Sequence, residues 1–191
     1  MRADVTVEVP KGDRNKYELD HHSGRIRLDR TLFPATHYPG DYGFFEDTLA
    51  EDGDPLDVLV LLAEPTFPGC LICVRPVAVF QMSDENGPDA KVLAVPATDP
   101  RWEHVVDLPD LDPYLLDEIR HFFTVYKALE PGKGIDVGGW RGRAAAEDEL
   151  DRAQRRAQAP PTSHAAPAPT DHADRIDRPG GPASPVEDQL L

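Results

Sequence analysis

Apolar and polar residues alternate with a period of two along several short stretches of the chain. Val5, Val7 and Val9 alternate with polar neighbours, which is typical of a strand with one buried face. Residues 16–29 alternate in the same way on both sides of a polar turn at 21–24. We therefore predict a strand followed by a β-hairpin at the start of the chain.

Longer apolar runs at 57–62, 71–80 and 91–95 predict further strands. Pro76 interrupts the second run, and because proline donates no backbone hydrogen bond, we expect it at a sheet edge or a bulge. Turn-forming residues separate the runs at short intervals. This spacing favours a small barrel or sandwich over a parallel α/β sheet.

Two helices are predicted in the second half of the chain. Asp112 is a suitable N-cap, and Pro113 suits the first helical position. Apolar residues then recur with the helical period as far as Leu129, before the Pro-Gly pair at 131–132 ends the helix. A second helix is expected near 143–157.

The charge of the chain limits its partners. There are 20 Lys and Arg against 35 Asp and Glu among 191 residues, so the net charge is −15. Such a chain is repelled by nucleic acid and by anionic membranes, and no apolar run approaches the ~20 residues of a membrane span. Residues 1–15 lack the apolar segment of a secretory signal. We expect a soluble, cytoplasmic protein with no nucleic-acid or membrane partner.

The aromatic residues indicate where the folded domain ends. All 14 Phe, Tyr and Trp lie at or before Trp140, whereas 158–191 contains 7 of the 20 prolines. A segment of that composition buries too little apolar surface to offset an ordering entropy of ~1–2 kcal/mol per residue. We predict a catalytic domain at 1–157 and a disordered Pro/Ala-rich tail at 158–191.

The cysteines give no sign of disulfide or metal chemistry. Two cysteines are too few for a disulfide framework. Cys70 and Cys73 have C-x-x-C spacing, but residues i and i+3 of a strand face opposite sides. We expect two buried thiols without a redox role.

The strongest chemical signal is an acidic turn, Asp52-Gly-Asp54-Pro-Leu-Asp57, that leads directly into the strand predicted at 57–62. Two carboxylates ~4 Å apart repel by roughly 4 kcal/mol at an effective dielectric near 20, so three in one small volume require a cation. Their hard oxygen ligands suit Mg²⁺ or Mn²⁺ better than zinc. A solvated acidic turn is the ordinary alternative, but the Gly-Pro interruption and the adjacent apolar strand favour a rigid metal site.

Further polar residues complement this turn. Asp84 and Asp89 flank a second turn and can face one another across a hairpin mouth, as the opposite wall of a metal site. Single donors such as Lys16, Arg30 and Tyr126 each have an ordinary structural explanation. Together, an acidic site with Lys, Arg and Tyr donors matches the needs of a small polyanion bound through metal ions.

The acidic turn and the motifs around it resemble those of a known family, the soluble inorganic pyrophosphatases of family I, bacterial type. The 52–57 turn is similar to the signature of that family, and the resemblance covers about residue 4 to Trp140, without the tail. The other matching motifs, in the same order as in the family, are Val7-Glu8-Val9-Pro10, Lys16-Tyr-Glu18, Asp29-Arg30, Tyr38-Pro-x-x-Tyr42-Gly, Asp84 with Asp89-Ala-Lys91, Val95-Pro96, His121-Phe-Phe and Tyr126-Lys127.

The resemblance implies a mainly β (α+β) fold, with a five-stranded OB-like β-barrel and flanking α-helices. It also implies Mg²⁺-dependent hydrolysis of pyrophosphate to two phosphates, several Mg²⁺ ions per site with Mn²⁺ as a possible substitute, and a homohexamer. By the same resemblance the metal ligands are Glu8, Glu18, Asp52, Asp57, Asp84 and Asp89. The substrate-binding residues are Lys16, Arg30, Tyr42, Lys91, Tyr126 and Lys127. Asp54 is expected to be the general base, and Asp89 is the competing candidate.

Two alternative functions remain open on the sequence. One is a non-catalytic, divalent-cation-binding OB-type module. The other is a metal-dependent phosphatase that acts on a larger substrate. The acidic charge disfavours a nucleic-acid substrate, and the donor set matches one small polyanion better than a large one.

Overall fold

The computed structural model describes residues 1–85 and 87–159. These residues form nine strands, two α-helices and two short 3-10 helices (Pro100–Trp102 and Leu108–Asp110). The strands are β1 (Ala3–Val9), β2 (Asn15–Asp20), β3 (Arg25–Thr31), β4 (Asp41–Phe45), β5 (Asp57–Val60), β6 (Leu71–Asp84), β7 (Gly87–Pro88), β8 (Lys91–Pro96) and β9 (Asp136–Gly142). The α-helices are α1 (Pro113–Val125) and α2 (Arg143–Gln158).

Five of the strands close into a barrel, in the order β1-β4-β5-β8-β6 and back to β1. Strands β5 and β8 run parallel, and the other neighbours in the ring are antiparallel. Strands β7 and β9 add to β6, while β2 and β3 form a separate hairpin. The predicted fold class, a five-stranded barrel with flanking helices, is confirmed.

Strand β5 shows why the barrel positions the acidic turn firmly. Val58 and Val60 belong to an apolar cluster that includes the buried face of α2, and Leu59 belongs to a second cluster that includes α1. The period-two alternation of a strand thus buries both of its faces. Because the acidic turn runs directly into β5, its last residue, Asp57, is held by the sheet.

The hydrophobic pattern predicts neither β4 nor β9, because glycines interrupt both. Gly43 lies in the middle of β4, where an added Cβ would come within 2.0 Å of the carbonyl oxygen of Thr6 on β1. Only glycine allows β1 and β4 to approach so closely. In β9, Gly139 has a φ of 101°, a backbone conformation that glycine adopts without strain.

Helix α1 begins at the predicted residue but ends earlier than the sequence predicts. The Asp112 side chain accepts a hydrogen bond from the backbone N–H of Tyr114 (2.8 Å), as an N-cap does. The helix stops at Val125, with Tyr126 as its C-cap. The expectation that it continues to Leu129 is wrong, since that side chain is 63% exposed. The chain from Tyr126 onward instead forms a turn beside the barrel.

Strand β6 confirms one prediction and corrects another. The register between β6 and β8 shifts between Pro76 and Ala78, so the proline does lie at a bulge. Cys70 is half-buried just before the strand, and Cys73 is exposed. The expectation of buried thiols is wrong, because the first residues of β6 present one face to solvent, as the exposed Leu71 shows.

The predicted tail lies outside the described residues from residue 160 onward. The boundary between a domain at 1–157 and a tail at 158–191 therefore stays a prediction. Among the helices that the structure describes, none has the length and apolar character needed to cross a membrane.

Candidate active site

Every side chain predicted for the site lines one cavity of about 360 Å³. The cavity is formed by β1, the β2–β3 hairpin, β4, the acidic turn before β5, the segment that joins β6 to β8, and the turn after α1. The predicted residues found there are Glu8, Lys16, Glu18, Arg30, Tyr42, Asp52, Asp54, Asp57, Asp84, Asp89, Lys91, Tyr126 and Lys127.

Lys91 joins the two acidic loops. Its Nζ donates hydrogen bonds to Oδ2 of Asp57, at the end of the acidic turn, and to Oδ1 of Asp89. Burial alone would lower the pKa of the Lys91 ammonium, but these two carboxylates outweigh burial and raise it above its ordinary value. A charged lysine, 4% exposed, is thus shared by carboxylates from two loops.

Two carboxyl groups of these loops have a raised pKa. Partial burial raises the pKa of Asp54, and the charges of Asp52 and Asp57 raise it further. Burial likewise raises the pKa of Asp89; Asp57 adds to the shift and Lys91 opposes it. Burial is the larger cause of each increase, and the negative charge of neighbouring carboxylates adds to it.

Glu8, on β1, has a strongly perturbed carboxyl group in the cavity wall. Its Oε1 accepts a hydrogen bond from the backbone N–H of Leu19 (2.7 Å), which ties β1 to the β2–β3 hairpin. Burial raises the pKa of Glu8 to about 7, although the Leu19 N–H works in the opposite direction. The charge of Asp57 contributes to the increase.

The pKa of Glu8 makes the stability of the metal-free protein depend on pH. Between pH 4.5 and about pH 7, Glu8 holds a proton in the folded state that it releases in the unfolded state. The free energy of unfolding therefore falls as the pH rises through this window. We expect Glu8→Gln to remove this loss and to be more stable than the wild type by about 1–3 kcal/mol at pH 8, but not at pH 4.

Urea unfolding in the presence of a chelator, at several pH values between 4 and 8, measures this effect. The matched control is Glu103→Gln, at an exposed glutamate, which should keep the wild-type pH dependence. Parallel pH curves for the Glu8→Gln variant and the wild type would contradict the expectation.

The basic residues on the hairpin side each have a carboxylate partner. Lys16 pairs with Glu18, and its Nζ lies 3.4 Å from Oδ2 of Asp29. Arg30 pairs with Asp29, and its Nε donates to Oε1 of Glu130 (3.0 Å). These contacts hold the ammonium and the guanidinium at the cavity wall.

The turn after α1 supplies the opposite side. The Nζ of Lys127 donates to Oδ2 of Asp84 (2.7 Å), and Lys133 pairs with Glu85. The Tyr126 side chain is buried, and burial raises the pKa of its hydroxyl. The turn and the β6–β7 segment are therefore linked by two ion pairs at the cavity edge.

Tyr42 stands beside the central lysine. The Lys91 Nζ lies 5.8 Å from the centre of the Tyr42 ring, within the range of a cation–π contact. Burial raises the pKa of Tyr42 well above its ordinary value. The phenol therefore keeps its proton and can act as a hydrogen-bond donor.

Some residues of the cavity lining are not predicted from the sequence. His21 packs edge-on against Phe44 (5.5 Å between ring centres) and lines the cavity, whereas the sequence assigns it to a polar turn, with a surface metal contact as the alternative. Glu130 and Lys133 were expected at or beyond the end of a longer helix. Recognising the early end of α1 at Tyr126 would have brought both into consideration. Leu19, Phe44 and Pro55 complete the unpredicted lining.

The donor set fits a hard divalent cation. Carboxylate oxygens line the cavity, and their negative charges repel one another, a repulsion that a bound cation relieves. In the part of the chain that the structure describes, no three His, Cys, Asp or Glu side chains are already drawn together as a ligand set. Lys91 instead bridges Asp57 and Asp89.

The chain that forms this barrel and its carboxylate-rich cavity is similar in sequence to a known protein family. The family model described as inorganic pyrophosphatase matches residues 5–158. The match spans most of the chain, including every residue that we place in the cavity. The chain belongs to the inorganic pyrophosphatase family.

Individual relatives agree with this assignment. The inorganic pyrophosphatase of Streptomyces coelicolor is 59% identical over 156 residues, which cover 82% of this chain and 96% of that protein. The inorganic pyrophosphatase of Leifsonia xyli is 60% identical over 144 residues, or 75% of this chain and 88% of that protein. The crystal structure of inorganic pyrophosphatase from Thermus thermophilus has a TM-score of 0.81 at 49% identity, and the match covers 83% of this chain and 92% of that one.

Proposed function

We propose that this protein hydrolyses inorganic pyrophosphate to two phosphates with the help of Mg²⁺. As a member of its family it is a hydrolase of phosphoric anhydrides that uses a divalent metal. The observation that carries the proposal is that Asp57 and Asp89, from two separate loops, both contact the ammonium group of Lys91 in the cavity. Lys16, Arg30 and Lys127 line the same cavity.

The charge of the cavity supports a metal-assisted reaction. Eight carboxylates and five basic side chains line it, and the basic residues described above are already paired. A polyanion that entered alone would meet excess negative charge. Pyrophosphate is therefore expected to bind together with divalent cations, which offset its charge as well as that of the wall.

Six carboxylates are proposed to hold the metal ions. They are Glu8, Glu18, Asp52, Asp57, Asp84 and Asp89, all of which line the cavity. When bound, the ions neutralise charge on pyrophosphate and make water more acidic. Mg²⁺ is the proposed ion and Mn²⁺ a possible substitute, because both prefer oxygen ligands.

Asp54 is the proposed general base. Its raised pKa brings the carboxylate closer to the range in which a base works well near neutral pH. Asp89, the competing candidate, also has a raised pKa, but it already accepts a hydrogen bond from the Lys91 ammonium. In our proposal Asp54 takes the proton of the attacking water, and Asp89 acts as a metal ligand.

The basic and phenolic groups are proposed to bind the phosphate oxygens. Lys16, Arg30 and Lys127 bring fixed positive charge to the cavity wall, and the hydroxyls of Tyr42 and Tyr126 remain protonated donors because burial raises their pKa. Lys91 lies beside both the Tyr42 ring and Asp89. Donors that are already in place stabilise the charge that develops on the leaving phosphate.

Phosphate release tests the proposed function. We expect rapid release from pyrophosphate with Mg²⁺, little release from ATP or p-nitrophenyl phosphate, and none from any of them after chelation. Similar rates on all three substrates would favour a phosphatase for larger substrates. Metal binding without turnover would favour a non-catalytic cation-binding module.

Assembly and location are also proposals. The resemblance to bacterial members of the family implies a homohexamer, and the acidic charge of −15 supports the absence of nucleic-acid and membrane partners. A cytoplasmic location is consistent with hydrolysis of a soluble metabolite. Pyrophosphate is the proposed partner of the site itself.

A further inference from the structure

We propose that Arg156, at the C-terminal end of α2, is a positioning residue that holds the acidic turn in the shape needed for metal binding. The inference rests on the proposed function, because it requires that the turn at 52–57 binds Mg²⁺. Arg156 lies outside the cavity lining. It is assigned here from its contacts with the chain just before the turn.

The last turns of α2 bind this part of the chain at three points. The guanidinium of Arg156 donates from Nη1 to the carbonyl oxygen of Leu49 (3.2 Å) and from Nη2 to Oε1 of Glu51 (3.1 Å). The backbone N–H of Leu49 donates to the carbonyl oxygen of Ala153 in α2 (3.0 Å). Both backbone polar groups of Leu49 are therefore bonded to the helix.

Short hydrogen-bonded steps connect Leu49 to the carboxylates. The backbone N–H of Ala50 donates to the carbonyl oxygen of Asp54 (2.7 Å), and the backbone N–H of Asp54 donates to Oδ1 of Asp52 (3.1 Å). A displacement of Leu49 would thus be passed on to both aspartates through one or two bonds. Arg156 is placed where it can prevent that displacement.

Helix α2 provides a rigid base for these contacts. Its residues Ala146, Leu150 and Ala153 are fully buried against the barrel. The turn, in contrast, has little packing of its own, since residues 51–54 are exposed. Its three aspartates, Asp52, Asp54 and Asp57, place like charges close together in one short segment, where they repel one another. Without an anchor, repulsion would favour wider spacing of the carboxylates and weaker cation binding.

The sign of the effect separates positioning from simple electrostatics. Arg156→Gln removes a positive charge near an acidic turn, and charge alone predicts tighter Mg²⁺ binding after that change. Loss of positioning predicts weaker binding. Arg155→Gln is the matched control: it removes the same charge from the neighbouring position, where the guanidinium pairs with Asp151 (2.6 Å) and is 76% exposed.

The test uses the full chain and titrates it with Mg²⁺ in a calorimeter, without substrate. We expect the Kd of Arg156→Gln to rise by about 3- to 10-fold, at or below the lower limit of the roughly 10- to 100-fold typical of groups bonded directly to a metal ligand. We expect the Kd of Arg155→Gln to equal or fall slightly below that of the wild type. With saturating Mg²⁺, kcat of the control variant Arg155→Gln should stay within about twofold of the wild type, because an exposed ion pair contributes little.

A second substitution, Arg156→Lys, keeps the charge but cannot reach both Leu49 and Glu51 with one planar group. It should also weaken Mg²⁺ binding, and it carries the test if Arg156→Gln does not fold. Equal or tighter binding in the folded Arg156 variants than in Arg155→Gln would overturn the inference. Absence of Mg²⁺ binding in the wild type would instead contradict the proposed function.

Discussion

Asp54→Asn is expected to lower kcat for pyrophosphate hydrolysis by 100-fold or more. Asparagine keeps the shape of the side chain but cannot accept a proton from water. The carboxyl pKa of Asp54 is raised by partial burial and by Asp52 and Asp57, which suits a base that works near neutral pH. The proposed metal ligands remain, so calorimetry should still detect Mg²⁺ binding.

The measurement is kcat at pH 8 with saturating Mg²⁺. The control Asp117→Asn changes an exposed aspartate of α1 that pairs with Arg120, and it should behave as the wild type. Full activity of the Asp54→Asn variant at this pH would exclude Asp54 as the base. Asp89 would then be the remaining candidate.

Asp57→Asn is expected to abolish tight Mg²⁺ binding and, with it, hydrolysis at ordinary Mg²⁺ concentrations. Asp57 is the first residue of β5, so the barrel fixes its backbone, and its carboxylate faces Asp89 across the Lys91 ammonium. No other aspartate of the acidic turn has this contact with the second loop among the described hydrogen bonds. Asp57→Asn therefore removes the charge that connects the proposed ligands of the acidic turn with those of the second loop.

Calorimetric titration with Mg²⁺ distinguishes the two aspartates. Asp57→Asn should show no tight site, whereas Asp54→Asn should keep one, and Asp117→Asn again provides the baseline. An unchanged Mg²⁺ affinity in Asp57→Asn would show that the two loops do not share cations. Circular dichroism before each titration verifies that the variant is folded.

Much of the barrel follows from local patterns. The period-two alternation of β1 agrees with the burial of Val5, Val7 and Val9, and the apolar run at 57–62 agrees with the buried strand β5. The hairpin also forms as predicted, although its Leu28 is 54% exposed. Strands β4 and β9 depend on contacts between distant segments. Gly43 belongs in β4 because the backbone of Thr6 leaves no space for a side chain, and no local pattern reveals such a contact.

The cavity residues were predictable for a different reason. They occur in short motifs that resemble one family, and each motif fixes residue types together with their spacing. Glu130 and Arg156 lie outside those motifs. Their contacts with Arg30 and with the chain before the acidic turn depend on where α1 ends and on how α2 packs, which are properties of the tertiary structure.

The barrel and the cavity both depend on the close approach of β1 and β4 at Gly43. Glu8 follows Val7, the residue of β1 that is paired with Gly43, and Gly43 itself lies between two cavity-lining aromatic residues, Tyr42 and Phe44. Even the single methyl group of an alanine at position 43 would force the strands apart and move a carboxylate and a phenol together. Position 43 must therefore stay without a side chain if β1 and this wall of the cavity are to keep their places.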